Sequence, residues 1–158
     1  ENGYFAIVSA VGKYGHLYQT LQETGEAVIN FMSADLYDKC MSTCRNNEFE
    51  IDEIKTAGLT WRKAEKVNAP LVDECFMNLE CRFKWEKEIA EGDDSVLVCL
   101  EIVNVHIDER HIDEDDLGRT GETGILYNIH HPIDPDNFKG TAHDYVGALK
   151  KIRDYSEY

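Results

Sequence analysis

Two apolar runs joined by an amphipathic stretch open the chain. Tyr4-Phe5-Ala6-Ile7-Val8-Ser9-Ala10-Val11 is rich in aromatic and β-branched residues and predicts a mostly buried strand, which Gly12 can end. Over residues 14–23, apolar or aromatic side chains recur at 14, 17, 18 and 21, the spacing of one helix face. Gly25 breaks that helix, and residues 27–31 read as a second strand. Ser33 suits the N-cap of a helix over 34–44, with Leu36, Tyr37, Cys40 and Cys44 on one side. Residues 46–53 are polar and acidic, a loop or helix end pinned by Ile51 and Ile54. One more helical turn over 54–58 stops at Gly58, and Leu59-Thr60-Trp61 is extended.

The second half is dominated by strands. Pro70 makes residues 68–71 extended or turning. Residues 74–89 hold a strand of open register, anchored by Phe76, Leu79, Cys81, Phe83 and Trp85. Gly92-Asp93-Asp94 marks a turn, and residues 95–107 carry the clearest strand signal of the chain. The two runs predict a long antiparallel hairpin. Successive apolar residues near Cys99 imply burial on both faces. Residues 108–122 form a charge-rich linker, 124–129 a short strand, and 144–152 a final short helix. His131-Pro132, Asp134-Pro135 and Gly140 mark turns between them. This mixture is too strand-rich for a helix bundle, and a closed or nearly closed antiparallel barrel fits it.

Composition narrows the partners. The 158 residues suit one domain, and 42% hydrophobic content argues against disorder. The formal net charge of -15 disfavours nucleic acid and anionic membranes, since both are polyanions. The five cysteines show no disulfide framework, so a reducing cytoplasm is the simplest compartment. No apolar run approaches the roughly 20 residues that cross a bilayer, and no signal peptide is visible. The chain starts without Met just before a strand-like run. Two readings stay open: a processed or partial chain, whose sheet-completing strands would lie upstream, or a diverged, shortened protein.

Gly12-Lys13-Tyr14 lies where a strand gives way to a helix. Unpaired helix amides and the Lys13 cation there suit a phosphate, while the residues alone favour a solvated turn lysine. Tyr18 reads as a packed helical aromatic, and His16 and Thr20 are less specific neighbours. Cys40 and Cys44 share a helix face but form no zinc signature with the six histidines, His130 and His131 included, and read as core thiols. The run Asp113-Glu114-Asp115-Asp116 lacks the spacing of a calcium loop and reads as a solvated segment. Glu80 and Glu101 are weak candidates for hydrolytic carboxylates, and Trp61, Phe83 and Trp85 suit packing before ring stacking.

Three stretches, VGKYGHLYQTLQETGEAVINFMS, IKTAGLTWRKAEKVNAPLVDECFMNLECRF and LEIVNVHID, together resemble the flavin reductase-like, or flavoredoxin-type, domain over roughly residues 4–109. The resemblance implies a mainly β fold with short helices: the FMN-binding split barrel, a six-stranded Greek key. Residues 1–109 would form its core, and 110–158 the acidic loop, short strand and tail of the same domain. The family also implies a homodimer with FMN near its interface, NADH or NADPH as transient reductant, and a small-molecule or protein electron acceptor. Flavin N5 accepts hydride in such proteins, so no catalytic side chain is required. On this resemblance the cofactor-binding candidates are Gly12, Lys13, Tyr14, Thr20, Asn30 and Ser33. Thr20 stands where the family often has Asn, and Asp52-Glu53 stands where it often has Lys. The flavin-facing segment expected before residue 4 is not seen. The alternative is a non-catalytic split barrel that has lost the cofactor and serves as an interaction module. If Lys13 holds the FMN phosphate, Lys13→Ala weakens FMN more than riboflavin in a binding titration.

Overall fold

A computed structural model describes residues 3–43, 50–112, 125–130 and 145–149. Strand β1 (Tyr4–Gly12) leads through helix α1 (His16–Thr24) to β2 (Glu26–Phe31). A 3-10 turn (Ala34–Leu36) and helices α2 (Tyr37–Thr43) and α3 (Glu53–Thr56) precede the short strands β3 (Trp61–Lys63) and β4 (Pro70–Val72). The long strands β5 (Met77–Glu88) and β6 (Ser95–Ile107) follow, and β7 (Ile125–His130) and β8 (Tyr145–Leu149) close the described chain.

β1, β6, β5 and β2 form one antiparallel sheet in that order, while β3 pairs with β4 and β7 with β8. The β5–β6 hairpin is the spine, and β1 and β2 pair with its outer edges. The first six strands thus divide between a sheet and a two-stranded ribbon, which is the split of the expected barrel. The fold is mainly β with short helices, as the residue pattern implies.

Three apolar clusters hold these layers. The largest joins Val11, Leu21, Ala27, Cys81, Val96, Val98 and Leu100, and so binds α1 to the sheet. Leu59, Val72 and Cys75 form a second cluster beneath α3, and Ala64, Val67 and Leu71 pack the ribbon against Val28 and Val103. Val98, Cys99 and Leu100 are all buried, so both faces of β6 are covered there. α1 ends at Gly25, whose φ of 68° is left-handed and whose amide bonds the Leu21 carbonyl at 2.8 Å. Gly58 stops α3 with φ 65°, and Gly92 turns the hairpin with φ 78°.

Several expectations need correction. β1 is mostly exposed along this chain: Tyr4, Phe5 and Ile7 face solvent, and of its residues Val11 alone is buried. A β-rich composition predicts the strand but not which of its faces is covered. Its register shifts between Val8 and Val11, where Ala10 takes a φ of 55°. Ser33 sits at an extended N-cap position, yet its hydroxyl meets Asp35 at 2.5 Å instead of capping the backbone, and the predicted helix begins as a 3-10 turn. The extended segment after Gly58 lies two residues later than expected, as β3. The helix expected over 144–152 is the strand β8, because pairing with β7 satisfies its backbone and Gly147 weakens a helix. Cys44, the acidic run 113–116, the 131–140 turns and the side chains of His130 and His131 lie outside the described residues.

Leu21 is 2% exposed and is the buried anchor of α1. Leu21→Ala is expected to lower unfolding free energy by about 2–5 kcal/mol, read by urea titration.

Candidate functional site

Glu80 lies near the middle of β5 with no exposed surface. A carboxylate buried there needs donors, and five converge on it. The consecutive amides of Glu65, Lys66 and Val67 donate to it at 3.1, 2.6 and 3.2 Å. Asn104 Nδ2 donates at 3.0 Å, and His106 Nε2 lies at 2.5 Å. Three amides in a row form a small anion nest, here filled by the protein's own carboxylate. Burial pushes the Glu80 carboxyl up, but the bonds from His106, Lys66, Glu65 and Asn104 outweigh it and bring it down to about 2. Glu80 is therefore ionised at neutral pH. A carboxylate only accepts, so Nε2 of His106 carries the proton between them. Glu26 adds a further hold on the same loop, accepting the Asn68 amide at 2.7 Å.

A second polar pair continues the network toward the end of β5. Asn78, 2% exposed, donates to Asn30 Oδ1 at 2.7 Å and to the Val72 carbonyl at 3.2 Å. Asn30 Oδ1 also accepts the Val72 amide at 3.0 Å. Asn30 thus ties β2, β4 and β5 together internally.

Two adjoining grooves open at this end of the sheet. One, of about 610 Å³, is lined by Ser33, Leu36, Glu74, Phe76, Arg110 and His111 among others. The other, of about 530 Å³, is lined by Arg62, Asn78, Val105, His106 and Ile107 among others. Asp73, Cys75, Phe76 and Asp108 border both. Phe76 is fixed by its backbone, which accepts the Asp108 amide at 2.8 Å and donates to the Phe31 carbonyl at 3.1 Å. Its ring centroid is 4.8 Å from that of His111. His111 Nδ1 is buried and lacks a hydrogen-bond partner among the described residues. Burial pushes the Cys75 thiol up to about 12, so it stays protonated and inert as a nucleophile.

Cations at these places are matched by carboxylates. Arg62 meets Asp73 at 2.5 Å, and Arg110 meets Asp108 at 2.5 Å. The Arg110 side-chain bonds, then its amide, hold the Asp108 carboxyl well below the usual carboxylate range.

The six residues singled out from the sequence do not converge. Gly12 pairs with Ser95 at the hairpin end of the sheet, and the Lys13 ammonium bonds Glu88 and the Asp93 carbonyl, the latter at 2.7 Å. Tyr14 is 79% exposed, and Thr20 is an exposed α1 residue whose carbonyl takes the Thr24 hydroxyl. Ten residue steps along β5 separate Glu88 from Asn78, the partner of Asn30. That is about 30 Å of strand path. Of the six, Ser33 alone lines the grooves. Asp52 and Glu53 have structural partners: Asp52 caps α3 through the Lys55 amide, and Glu53 faces His16 at 3.6 Å. Glu101 meets Lys84 at 3.1 Å and Glu80 is enclosed, so neither stands as a hydrolytic carboxylate. His111, Phe76 and the Glu80–His106 pair carry the polar and aromatic character of the grooves. A charged residue between Leu79 and Cys81 in a buried strand is the one sequence signal that marks this centre.

The fold is that of the split-barrel flavoproteins. Nitrilotriacetate monooxygenase component B from Bacillus cereus superposes with a TM-score of 0.73 at 19% identity, over 95% of this chain and 71% of that one. Flavoredoxin of Desulfovibrio vulgaris (Miyazaki F) superposes with a TM-score of 0.71 at 20% identity, over 96% and 74%. In sequence, an uncharacterized protein of Methanothermobacter thermautotrophicus is 29% identical over 105 residues, 65% of this chain and 49% of that protein. The chain thus spans about half the length of that curated relative. The family model of the flavin reductase like domain matches residues 5–128, and the chain belongs to that family.

The lowered Glu80 value fixes an acid dependence. Its contribution to stability is present above the ordinary value of 4.5 and is lost as pH falls through about 2. Urea midpoints of the wild type are expected to fall across that window, and the difference between wild type and Glu80→Gln to shrink with them.

Proposed function

We propose that this domain binds FMN as the redox group of an oxidoreductase, with the flavin ring in the Ser33–His111 groove. Besides the family membership, the observation that carries this placement is the buried Nδ1 of His111 beside Phe76, which has no hydrogen-bond partner among the described residues. An orphaned buried acceptor or donor is costly unless a ligand completes it. The groove volume of about 610 Å³ falls within the usual range for small-molecule sites. Phe76 and Leu36 would flank the ring, and the Ser33 hydroxyl and His111 would bond its polar edge. The fit is to the ring. The described cations bordering the grooves are already matched by Asp73 and Asp108, so they offer a phosphate little free charge.

Bound FMN supplies reversible two-electron chemistry, with NADH or NADPH as reductant and a small molecule or protein as acceptor. The chain's own residues orient the ring and exclude water. A homodimer belongs to the same proposal, and exposed Tyr4, Phe5 and Ile7 on β1 offer apolar surface for it. The second reading, a barrel that has lost its cofactor, draws on the paired cations, Lys13 included.

The test is reconstitution of the intact protein with FMN. A stoichiometric flavin absorption band that NADH or NADPH bleaches is expected; a band that neither bleaches marks an electron carrier in place of a reductase, and no band after FMN addition contradicts the redox reading. His111→Ala is expected to weaken flavin binding about tenfold. With the ring in this groove, Lys13 is too distant for the phosphate, and Lys13→Ala changes FMN and riboflavin affinity alike. A selective loss of FMN affinity would move the site to the Gly12–Lys13 end.

A further inference from the structure

A third cavity, of about 320 Å³, is built on the β3–β4 ribbon. Alternation along β3 puts Trp61 and Lys63 on one face and Arg62, which borders the second groove, on the opposite one. Lys63 stands across from Pro70 in the ribbon register. Trp61, Pro70, Ala69 and Ile54 give the cavity apolar walls, and Trp61 is 54% exposed. An indole left that open beside other apolar walls is a larger apolar exposure than a scattered surface residue. The polar lining is Lys63, Asn68 and Asp52. The arginines of the two grooves are paired with Asp73 and Asp108, whereas Lys63 makes no hydrogen bond or ion pair among the described residues. Nor does the side chain of Asn68, although its backbone amide is tied to Glu26 at 2.7 Å. Asp52 is partly committed, because its Oδ1 caps α3 by accepting the Lys55 amide at 3.0 Å. The walls are preformed: the amides of residues 65–67 on Glu80 and the Val72 amide on Asn30 hold both ends of the segment that carries Asn68, Ala69 and Pro70.

We infer that this cavity binds an aromatic monocarboxylate, its ring against Trp61 and Pro70 and its carboxylate on Lys63 and the Asn68 carboxamide. The inference stands apart from the flavin reading. The volume lies at the lower end of the range for small-molecule sites, so it suits one ring or two fused rings. Trp61 offers an aromatic face and Pro70 a flat apolar one, which together favour a planar ligand. Lys63 brings one positive charge with three N–H donors and no acceptor, so its complement is a single anionic oxygen group. An organic amine in the same place would meet like charge. Asp52 on the wall works against a phosphate or any other dianion, and so restricts the site to one negative charge. The net charge of -15 gives an anion no general attraction to this protein, so the unmatched Lys63 has to supply it locally.

The test follows the indole N–H resonances of Trp61 and Trp85 in proton–nitrogen NMR spectra of the intact protein, told apart with Trp85→Phe. Three probes of one shape are titrated: naphthoate, its uncharged amide and naphthylmethylamine. Naphthoate is expected to shift the Trp61 resonance saturably and to leave that of Trp85 in place. Its affinity is expected to exceed that of the amide about tenfold, and the amine to give no saturable shift. Lys63→Met keeps an apolar stem and removes the charge, so acid and amide are expected to bind it within about twofold of each other. No saturable shift with naphthoate, parallel shifts of both indoles, or an amide or amine that binds the wild type as tightly as the acid overturns the inference, and none of these needs a variant to fold. A preference for the acid that survives in Lys63→Met overturns the role of Lys63 and the inference with it.

Discussion

The structure depends on how one buried carboxylate is satisfied. Glu80 has no contact with solvent, and its charge survives there because three successive amides and two side chains donate to it. Loss of those donors would leave an unpaired charge in the interior, a penalty far above that of an ordinary lost hydrogen bond. The same bonds fix the 65–67 segment that leads from β3 toward β4, and they set the plane of His106 at the far end of β6. Loop, ribbon and groove are thus positioned by one side chain. The neighbouring Asn30–Asn78 pair does similar work by pinning β4 to the sheet.

That polar core explains why the functional features gather at one end of the sheet. The hairpin end is closed by its own ion pair, Lys13 with Glu88, and by the Gly92 turn. The opposite end keeps two adjoining grooves, separated by Phe76 and edged by His106 and His111. One histidine is set by a carboxylate behind it, and the other has a buried nitrogen with no partner among the described residues. The arginines bordering the grooves are balanced by Asp73 and Asp108.

Much of the fold was legible in the residues because it is encoded locally. The apolar run of β6 and the turn at Gly92 are properties of adjacent positions, and so is the helix stop at Gly25. The family resemblance likewise rests on contiguous motifs and is matched by the family model over residues 5–128. What could not be read is non-local. Lys13 looks like a free cation until Glu88, 75 positions away, is brought beside it. Glu80 reads from the sequence as a weak hydrolytic candidate in a strand-like run, and only the fold brings residues 65–67, 104 and 106 around it. β8 has helical spacing in isolation and becomes a strand through its pairing with β7. Asn30 is expected from the family resemblance at the cofactor, and its hydrogen-bond partners in the structure are Val72 and Asn78, inside the fold.

The most direct measurement is a crystal structure of the intact protein grown with FMN. The account predicts flavin density against Phe76, with a polar edge of the ring within hydrogen-bond distance of His111 Nδ1. Density for the ring beside Gly12 and Lys13, or a Ser33–His111 groove filled by protein side chains in the assembled molecule, would contradict it.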